Sequence, residues 1–109
     1  MKWIYLIIAI ITEVIATSAL KESQGFSKLI PSIVVITGYS LTFYFMSLTL
    51  KEMSVGITYA IWSGMGILLI SLIGYFRYNQ VLDSAAILGM SFIAMGIIIL
   101  RFFSKSIEV

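Results

Sequence analysis

Long runs of apolar residues, separated by short polar segments, make up almost the whole chain. The runs cover residues 3–20, 29–50, 53–76 and 84–103. A helix needs about 20 predominantly apolar residues to cross a bilayer, so each run is long enough to span it. Backbone that faces lipid must satisfy its own hydrogen bonds, which favours helices over open sheets. The pattern predicts an all-α integral membrane protein, with one four-helix membrane domain over residues 1–109.

The polar segments between the runs are short and contain helix-boundary signals. Pro31 suits the first turn of the second helix. Only Lys51 and Glu52 separate the second run from the third, which predicts a tight turn at this point. Asp83 precedes the fourth run and can cap its N-terminus. None of these connections is long enough to form a soluble domain.

The composition agrees with a lipid environment and excludes several kinds of chemistry. Apolar residues make up 61% of the chain and charged residues 11%, whereas soluble domains have about 45–50% and about 25%. The sequence contains no Cys and no His, so disulfides, thiolate nucleophiles and the usual zinc, haem or iron–sulfur ligands are excluded. We therefore expect no metal, no cofactor and no enzymatic activity. The net charge of +2 is too small and scattered to indicate nucleic-acid binding.

One carboxylate, Glu13, lies near the middle of the first run. A charge at the centre of a bilayer costs ~2.5–3.5 kcal/mol on insertion scales, and such residues usually mark a functional site. No Lys or Arg lies at a matching depth, because Arg101 is near the end of its run and can extend its side chain toward water. Glu13 must then be protonated or paired with a cation that enters and leaves. The structural alternative is a permanently protonated Glu13 that hydrogen-bonds to a neighbouring helix.

Aromatic residues lie at a similar depth in the second and third runs. Tyr39 and Phe43 are four residues apart, and Tyr59 and Trp62 are three apart, so each pair shares one helix face. Tyr39 and Trp62 are too deep for the interfacial belt of Tyr and Trp side chains. Packing can explain each aromatic alone. Aromatic rings at the depth of Glu13, however, predict a chamber for a large, weakly hydrated organic cation.

Small and hydroxyl-bearing residues accompany these side chains. Ala9 and Ala16 flank Glu13 in the first run and are expected to leave room beside it, while Thr17 adds a hydroxyl one helical turn away. In the third run, a further group consists of Ser63, Gly64 and Gly66. Ser63 continues the aromatic face, and glycine weakens the middle of a helix. The two glycines therefore indicate either a hinge or a close helix contact.

The fourth run contains a stripe that is typical of helix–helix contact. Gly89, Phe92, Ile93 and Gly96 lie on or near one face of the predicted helix, and small residues let helices approach closely in a membrane. Four helices are too few to enclose a pathway and also expose such a stripe. We therefore predict a dimer in which the fourth helix forms the interface and both copies of Glu13 face one chamber.

The basic residues give almost no signal for membrane orientation. Four of them fall on one predicted side and three on the other: Lys2, Lys51, Arg101 and Lys105 against Lys21, Lys28 and Arg77. A bias in Lys and Arg normally sets the orientation of a membrane protein. Either the folding context decides the orientation, or the chain inserts both ways. Insertion both ways would allow an antiparallel dimer.

Two segments are similar to a known family of membrane proteins. They are residues 13–17 (EVIAT) and, more specifically, residues 57–66 (ITYAIWSGMG). Further matches are Lys21, Gly25, Phe26, Pro31, Ser32, Tyr39, Phe43, Asp83, Gly89 and Gly96. With these residues the chain resembles the small multidrug resistance family of transporters over essentially its full length.

The resemblance implies a dual-topology, antiparallel homodimer in the inner (plasma) membrane that exchanges protons for toxic hydrophobic or quaternary ammonium cations. Glu13 would carry the essential carboxylate of the family. The family's guanidinium-exporting branch has Trp three residues after this Glu, where the present chain has Ala16, which favours the drug-exporting branch. Thr42 replaces the family's usual Ser and keeps a hydroxyl in the chamber. The chamber aromatics would be Tyr39, Tyr59 and Trp62.

Three other interpretations remain at the level of the sequence. The chain resembles a family in which some members export guanidinium, and export of guanidinium or polyamines is one alternative. Some members function only as pairs of different subunits, so a related second subunit is another. The third is a non-transporting subunit that packs in a larger membrane complex, although the midplane charge of Glu13 disfavours it.

Overall fold

The computed structural model describes residues 1–108 and contains four α-helices and no strand within that range. The helices are α1 (Lys2–Glu22), α2 (Leu29–Thr49), α3 (Val55–Tyr78) and α4 (Ser84–Phe103). Each one is long and apolar enough to cross a membrane. The four runs predicted from hydropathy are therefore confirmed as helices, with several ends displaced by one or two residues.

Two predicted helix-boundary signals are also confirmed. Pro31 lies in the first turn of α2, where its missing N–H removes no intrahelical bond. Asp83 is the N-cap of α4, and its Oδ1 accepts a hydrogen bond of 2.8 Å from the backbone N–H of Ala86. At the other end of α3, Asn79 adopts a left-handed conformation (φ 54°) that terminates the helix.

The start of α3 differs from the prediction, because the connection after α2 bonds to the C-terminal segment. Met53 is fully buried and forms an isolated antiparallel β-bridge with Glu108. The backbone N–H of Ser54 donates to the carbonyl of Ile107 (2.7 Å), and its Oγ donates to the carbonyl of Ser106 (2.9 Å). These bonds hold Ser54 in an extended conformation (ψ 146°), so the helix begins two residues later than hydropathy indicates.

The chain divides into two compact units, Met1–Glu52 and Met53–Val109. The first unit contains the pair α1 and α2, and the second contains the pair α3 and α4. The expectation of one four-helix domain stays a prediction.

In the first unit, α1 and α2 approach each other closely at Gly38. A Cβ atom at this position would lie 2.8 Å from Ala16 Cβ and 3.3 Å from the carbonyl oxygen of Thr12. Just beyond this point, the hydroxyls of Thr12 and the fully buried Thr42 lie 2.7 Å apart, so that one donates to the other. Small side chains at a membrane helix contact permit such an approach. The hydrogen bond between Thr12 and Thr42 also fixes the register of α1 against α2.

In the second unit, Gly64 of α3 packs against α4. A Cβ atom at Gly64 would lie 2.8 Å from Ile97 Cδ1 and 3.3 Å from Ile93 Cγ2. We expected Ile93 on the dimer face, but its side chain lies against Gly64 of the same chain, because the missing Cβ makes room for it. Close packing is therefore one role of Gly64. None of the residues of α4 is buried.

Candidate functional site

Glu13 lies in the middle of α1, and its side chain is half-buried. Oε1 accepts a hydrogen bond of 2.8 Å from Oγ1 of Thr17, one helical turn further on. Oε2 is buried and has no hydrogen-bond partner among residues 1–108. The basic residues of α1, Lys2 and Lys21, belong to its two ends. One carboxylate oxygen is thus held by the protein, and the other is left for a ligand.

Tyr39 of α2 reaches Glu13 through Thr17 rather than directly. The Tyr39 hydroxyl lies 2.5 Å from Oγ1 of Thr17, and the same Oγ1 donates to Glu13. A buried Tyr hydroxyl needs a hydrogen-bond partner, and here that partner is not the carboxylate itself. The structure inserts a second hydroxyl, so that three side chains from two helices form one hydrogen-bonded chain.

The close approach of α1 and α2 explains how the hydrogen bonds between Tyr39, Thr17 and Glu13 form. Ala16 and Gly38, the contact pair, immediately precede Thr17 and Tyr39 in their helices. The absence of a Cβ at Gly38 brings the two backbones near enough for the adjacent hydroxyls to meet. Sequence reasoning missed Gly38. The signal that could have found it is the occurrence of a glycine beside Tyr39, the aromatic residue predicted to face the site.

Three small residues predicted to line the chamber are buried instead. Ala9, Ala16 and Thr42 each have an exposed fraction of 0%. At Ala16, α2 occupies the space that we expected to remain open beside the carboxylate. The hydroxyl of Thr42 bonds to Thr12 and to the carbonyl of Gly38. These contacts give Ala16 and Thr42 a role in packing α1 against α2.

The aromatic pair predicted on α2 is present. The rings of Tyr39 and Phe43 are stacked with a centroid distance of 6.3 Å and an interplanar angle of 20°. Phe43 is 59% exposed, whereas Tyr39 is half-buried. An exposed ring beside a hydrogen-bonded phenol provides an aromatic face of the type that attracts organic cations.

The aromatic pair predicted on α3 is also present. The rings of Tyr59 and Trp62 meet edge to face at 5.4 Å and 65°. Tyr59 is 60% exposed. Nε1 of Trp62 is buried and has no hydrogen-bond partner in the described part of the chain. The hydroxyl of Ser63 donates to the carbonyl of Tyr59 (2.7 Å), so its proton is used within the helix. Gly66, like Gly64, is buried.

The predicted contact stripe of α4 is partly open. A Cβ at Gly89 or Gly96 would meet no atom within 4 Å, and Phe92 is 62% exposed. These three residues therefore retain a face on which another helix can pack. The use of this face in a dimer stays a prediction.

The first unit has a groove of about 290 Å³ that contains none of the residues predicted for the chamber. Its lining is almost entirely apolar and consists of Thr12, Ile15, Ile33, Val34, Thr37, Gly38 and Leu41. A cation chamber needs a carboxylate or aromatic faces, and this groove has neither. It is therefore distinct from the candidate site at Glu13.

Comparison with known proteins gives one consistent family. The model of a family described as Small Multidrug Resistance protein matches residues 1–93. The chain is 51% identical over 104 residues to quaternary ammonium compound-resistance protein QacE of Escherichia coli, covering 95% of this chain and 94% of that protein. It is 52% identical over 104 residues to QacF of Klebsiella aerogenes, with the same coverage of 95% and 94%. It is 46% identical over 105 residues to multidrug transporter PA4990 of Pseudomonas aeruginosa, covering 96% of each chain.

Proposed function

Because this chain belongs to the small multidrug resistance family, we propose that it is an exporter of hydrophobic and quaternary ammonium cations. Its four apolar helices and its family identify it as a multi-pass protein of the inner membrane. The relatives with about half of their residues identical are named for resistance to quaternary ammonium compounds. That name supports the substrate class proposed for this chain.

The proposed mechanism is competition between a proton and the drug at Glu13. The observation that carries it is a mid-helix carboxylate with one oxygen held by Thr17 and the other without a hydrogen-bond partner in residues 1–108. Ionised Glu13 binds the cation, and protonation expels it. Coupling then requires only that the two exclude one another at a site open to one side at a time. Each entering proton supplies ~2.3 kcal/mol per 100 mV and ~1.4 kcal/mol per pH unit.

Aromatic side chains would also attract such a cation. Tyr39 with Phe43, and Tyr59 with Trp62, form ring pairs whose faces suit a weakly hydrated cation. Such a cation loses little hydration energy when it leaves water. The neutral rings therefore contribute attraction without requiring a second buried charge.

The proposed assembly is an antiparallel homodimer in which α4 provides the interface. Two observations support it: no residue of α4 is buried within the chain, and Gly89 and Gly96 leave open space on one face. The near-equal numbers of basic residues predicted on the two sides support insertion in both orientations. A dimer would bring two copies of Glu13 to one chamber.

Reconstitution of the purified chain alone in liposomes tests the function. With a pH dye inside, an imposed gradient of a bulky quaternary ammonium cation should drive protons across the membrane, because the two ligands exchange at one site. The comparison cation is guanidinium. Proton movement driven only by guanidinium would assign the chain to the guanidinium-exporting alternative. No response to either cation would contradict a transporter made of this chain alone and favour a missing second subunit.

Trp62→Ala is expected to weaken binding of aromatic cations more than binding of small tetraalkyl cations. Loss of one cation–π and stacking partner should cost about 1 kcal/mol or more, roughly fivefold in affinity, for a planar aromatic cation. Equilibrium binding of two radiolabelled cations to the detergent-solubilised variant measures this. Trp3→Ala, at the start of α1, is the matched control and should leave the ratio of the two affinities unchanged. Equal losses for both cations in Trp62→Ala would remove the role of stacking.

A further inference from the structure

The hydrogen-bonded chain from Tyr39 through Thr17 to Glu13 has a direction that the charge of Glu13 decides. An ionised carboxylate accepts hydrogen bonds and cannot donate. Thr17 has one hydroxyl proton, and it points to Oε1 of Glu13. The short contact between Thr17 and Tyr39 can then be a hydrogen bond only if Tyr39 is the donor. In the ionised state, therefore, the phenol proton points toward Thr17.

Protonation of Glu13 reverses this direction. Oε2 has no hydrogen-bond partner in residues 1–108, so no hydroxyl is in place to accept a proton carried on that oxygen, and a buried donor without a partner is costly. A proton on Oε1 can instead donate to Thr17. Thr17 must then turn its own proton to the oxygen of Tyr39, and the phenol proton must turn away from Thr17. Each hydroxyl proton stays on its own oxygen, and only the added proton on Glu13 is new.

We propose that Thr17 is a positioning residue that transmits the protonation state of Glu13 to the hydroxyl of Tyr39, and so sets the affinity of the chamber for cations. This inference rests on the proposed function, in which Glu13 exchanges a proton for a drug. When Glu13 is ionised, the phenol proton is used inside the protein, and the lone pairs of its oxygen remain available. When Glu13 is protonated, the phenol presents its O–H dipole with the positive end outward, which repels a cation. The competition between the proton and the cation then involves the hydroxyl of Tyr39 as well as the carboxylate of Glu13.

No other ionisable group of the first unit lies at this point of the α1–α2 pair. The helix α2 contains no Lys, Arg, Asp or Glu. Its second titratable side chain, Tyr44, lies one turn or more toward the C-terminal end of α2, and its ring contacts Phe45. The remaining titratable side chains of α1 lie toward the two ends of the helix: Lys2, Tyr5, Lys21 and Glu22. Within this unit, Glu13 is therefore the group whose charge sets the direction of the two hydrogen bonds.

Nuclear magnetic resonance of the full chain in lipid bilayers, with ¹³C at Cζ of tyrosine and at Cδ of glutamate, tests the inference. Tyr39→Phe identifies the Tyr39 signal by its loss. In the wild type, we expect the Tyr39 signal to move together with the Glu13 signal as the pH is changed below the range in which tyrosine ionises, about 10. Thr17→Val, which removes the hydroxyl but keeps the shape, should abolish the movement at Tyr39 while Glu13 still titrates. Thr17→Ser should restore it.

A second measurement does not depend on the folding of Thr17→Val. The ratio of cation affinities at alkaline and acidic pH should be smaller in Tyr39→Phe than in the wild type by about twofold to tenfold, the contribution of one neutral hydrogen bond. An unchanged ratio, or a Tyr39 signal that moves equally in Thr17→Val, would overturn the role of Thr17. A stationary Tyr39 signal in a wild-type protein that exchanges drug for protons would overturn this inference alone. Failure of the proposed function would appear separately, as a wild-type Glu13 signal that does not respond to the cation.

Discussion

Replacing Glu13 with Gln is expected to abolish proton movement driven by a quaternary ammonium gradient, while the protein still folds and inserts. Gln has nearly the same shape and can still accept from Thr17, so the contact on Oε1 is preserved. It cannot take up a proton or carry a charge. Loss of the charge should weaken cation binding by at least about tenfold, or ~1.4 kcal/mol. Insertion should not suffer, because a neutral amide costs less than a charge at the bilayer centre.

The measurement is the liposome assay with a pH dye, and Glu52→Gln provides a matched control. Glu52 is exposed in the connection between α2 and α3, so its substitution makes the same change of charge outside the spans. It should leave exchange unchanged. If cation-driven proton movement in Glu13→Gln equalled that of the wild type, the proposed role of Glu13 would be wrong. The family membership would not be affected.

The same variant also tests whether two copies of Glu13 share one chamber. When wild type and Glu13→Gln are mixed in equal amounts before reconstitution, random dimers contain two wild-type chains in roughly a quarter of cases. If both carboxylates are needed, exchange should fall to about that fraction. A fall to half would indicate that each chain acts independently, which would contradict a chamber shared by two chains.

Gly38→Ala is expected to destabilise the protein, because the added methyl has no room between α1 and α2. The new Cβ would lie 2.8 Å from Ala16 Cβ and 3.3 Å from the Thr12 carbonyl, whereas carbon atoms pack best at about 3.5–4.0 Å. Inserting a methylene into a well-packed contact costs about 1–3 kcal/mol. The higher helix propensity of Ala, about 1 kcal/mol, reduces the net loss to at most about 2 kcal/mol. Separation of the helices would also lengthen the contact between Thr17 and Tyr39.

Thermal unfolding in detergent measures this effect, and a second glycine isolates its cause. Gly56→Ala adds a methyl where no atom lies within 4 Å and should not lower the melting temperature. Adding Ala16→Gly to Gly38→Ala removes the opposing methyl and should restore part of the lost stability, since residues in contact are energetically coupled. A Gly38→Ala protein as stable as the wild type would mean that α1 and α2 do not pack as closely as described.

Hydropathy alone predicted the four helices, because lipid imposes a simple requirement on any backbone that crosses it. Runs of about 20 apolar residues have few alternatives to a helix in a membrane. The cap at Asp83 was predicted for a similar reason, since capping depends on residues three apart in the chain. The start of α3 was not predicted. It depends on hydrogen bonds from Ser54 to residues 106 and 107, and such a distant pairing leaves no trace in local hydropathy.

The importance of Glu13 also followed from the sequence, because a carboxylate in the middle of an apolar run needs an explanation wherever its neighbours lie. Only the tertiary structure decided which groups surround it. The close approach of Gly38 to Ala16 sets the distance between α1 and α2. That distance joins Thr17 to Tyr39 and turns Thr42 into a packing contact. Periodicity shows which residues share a face of one helix, but which hydroxyls meet between helices depends on the distance and register that packing sets.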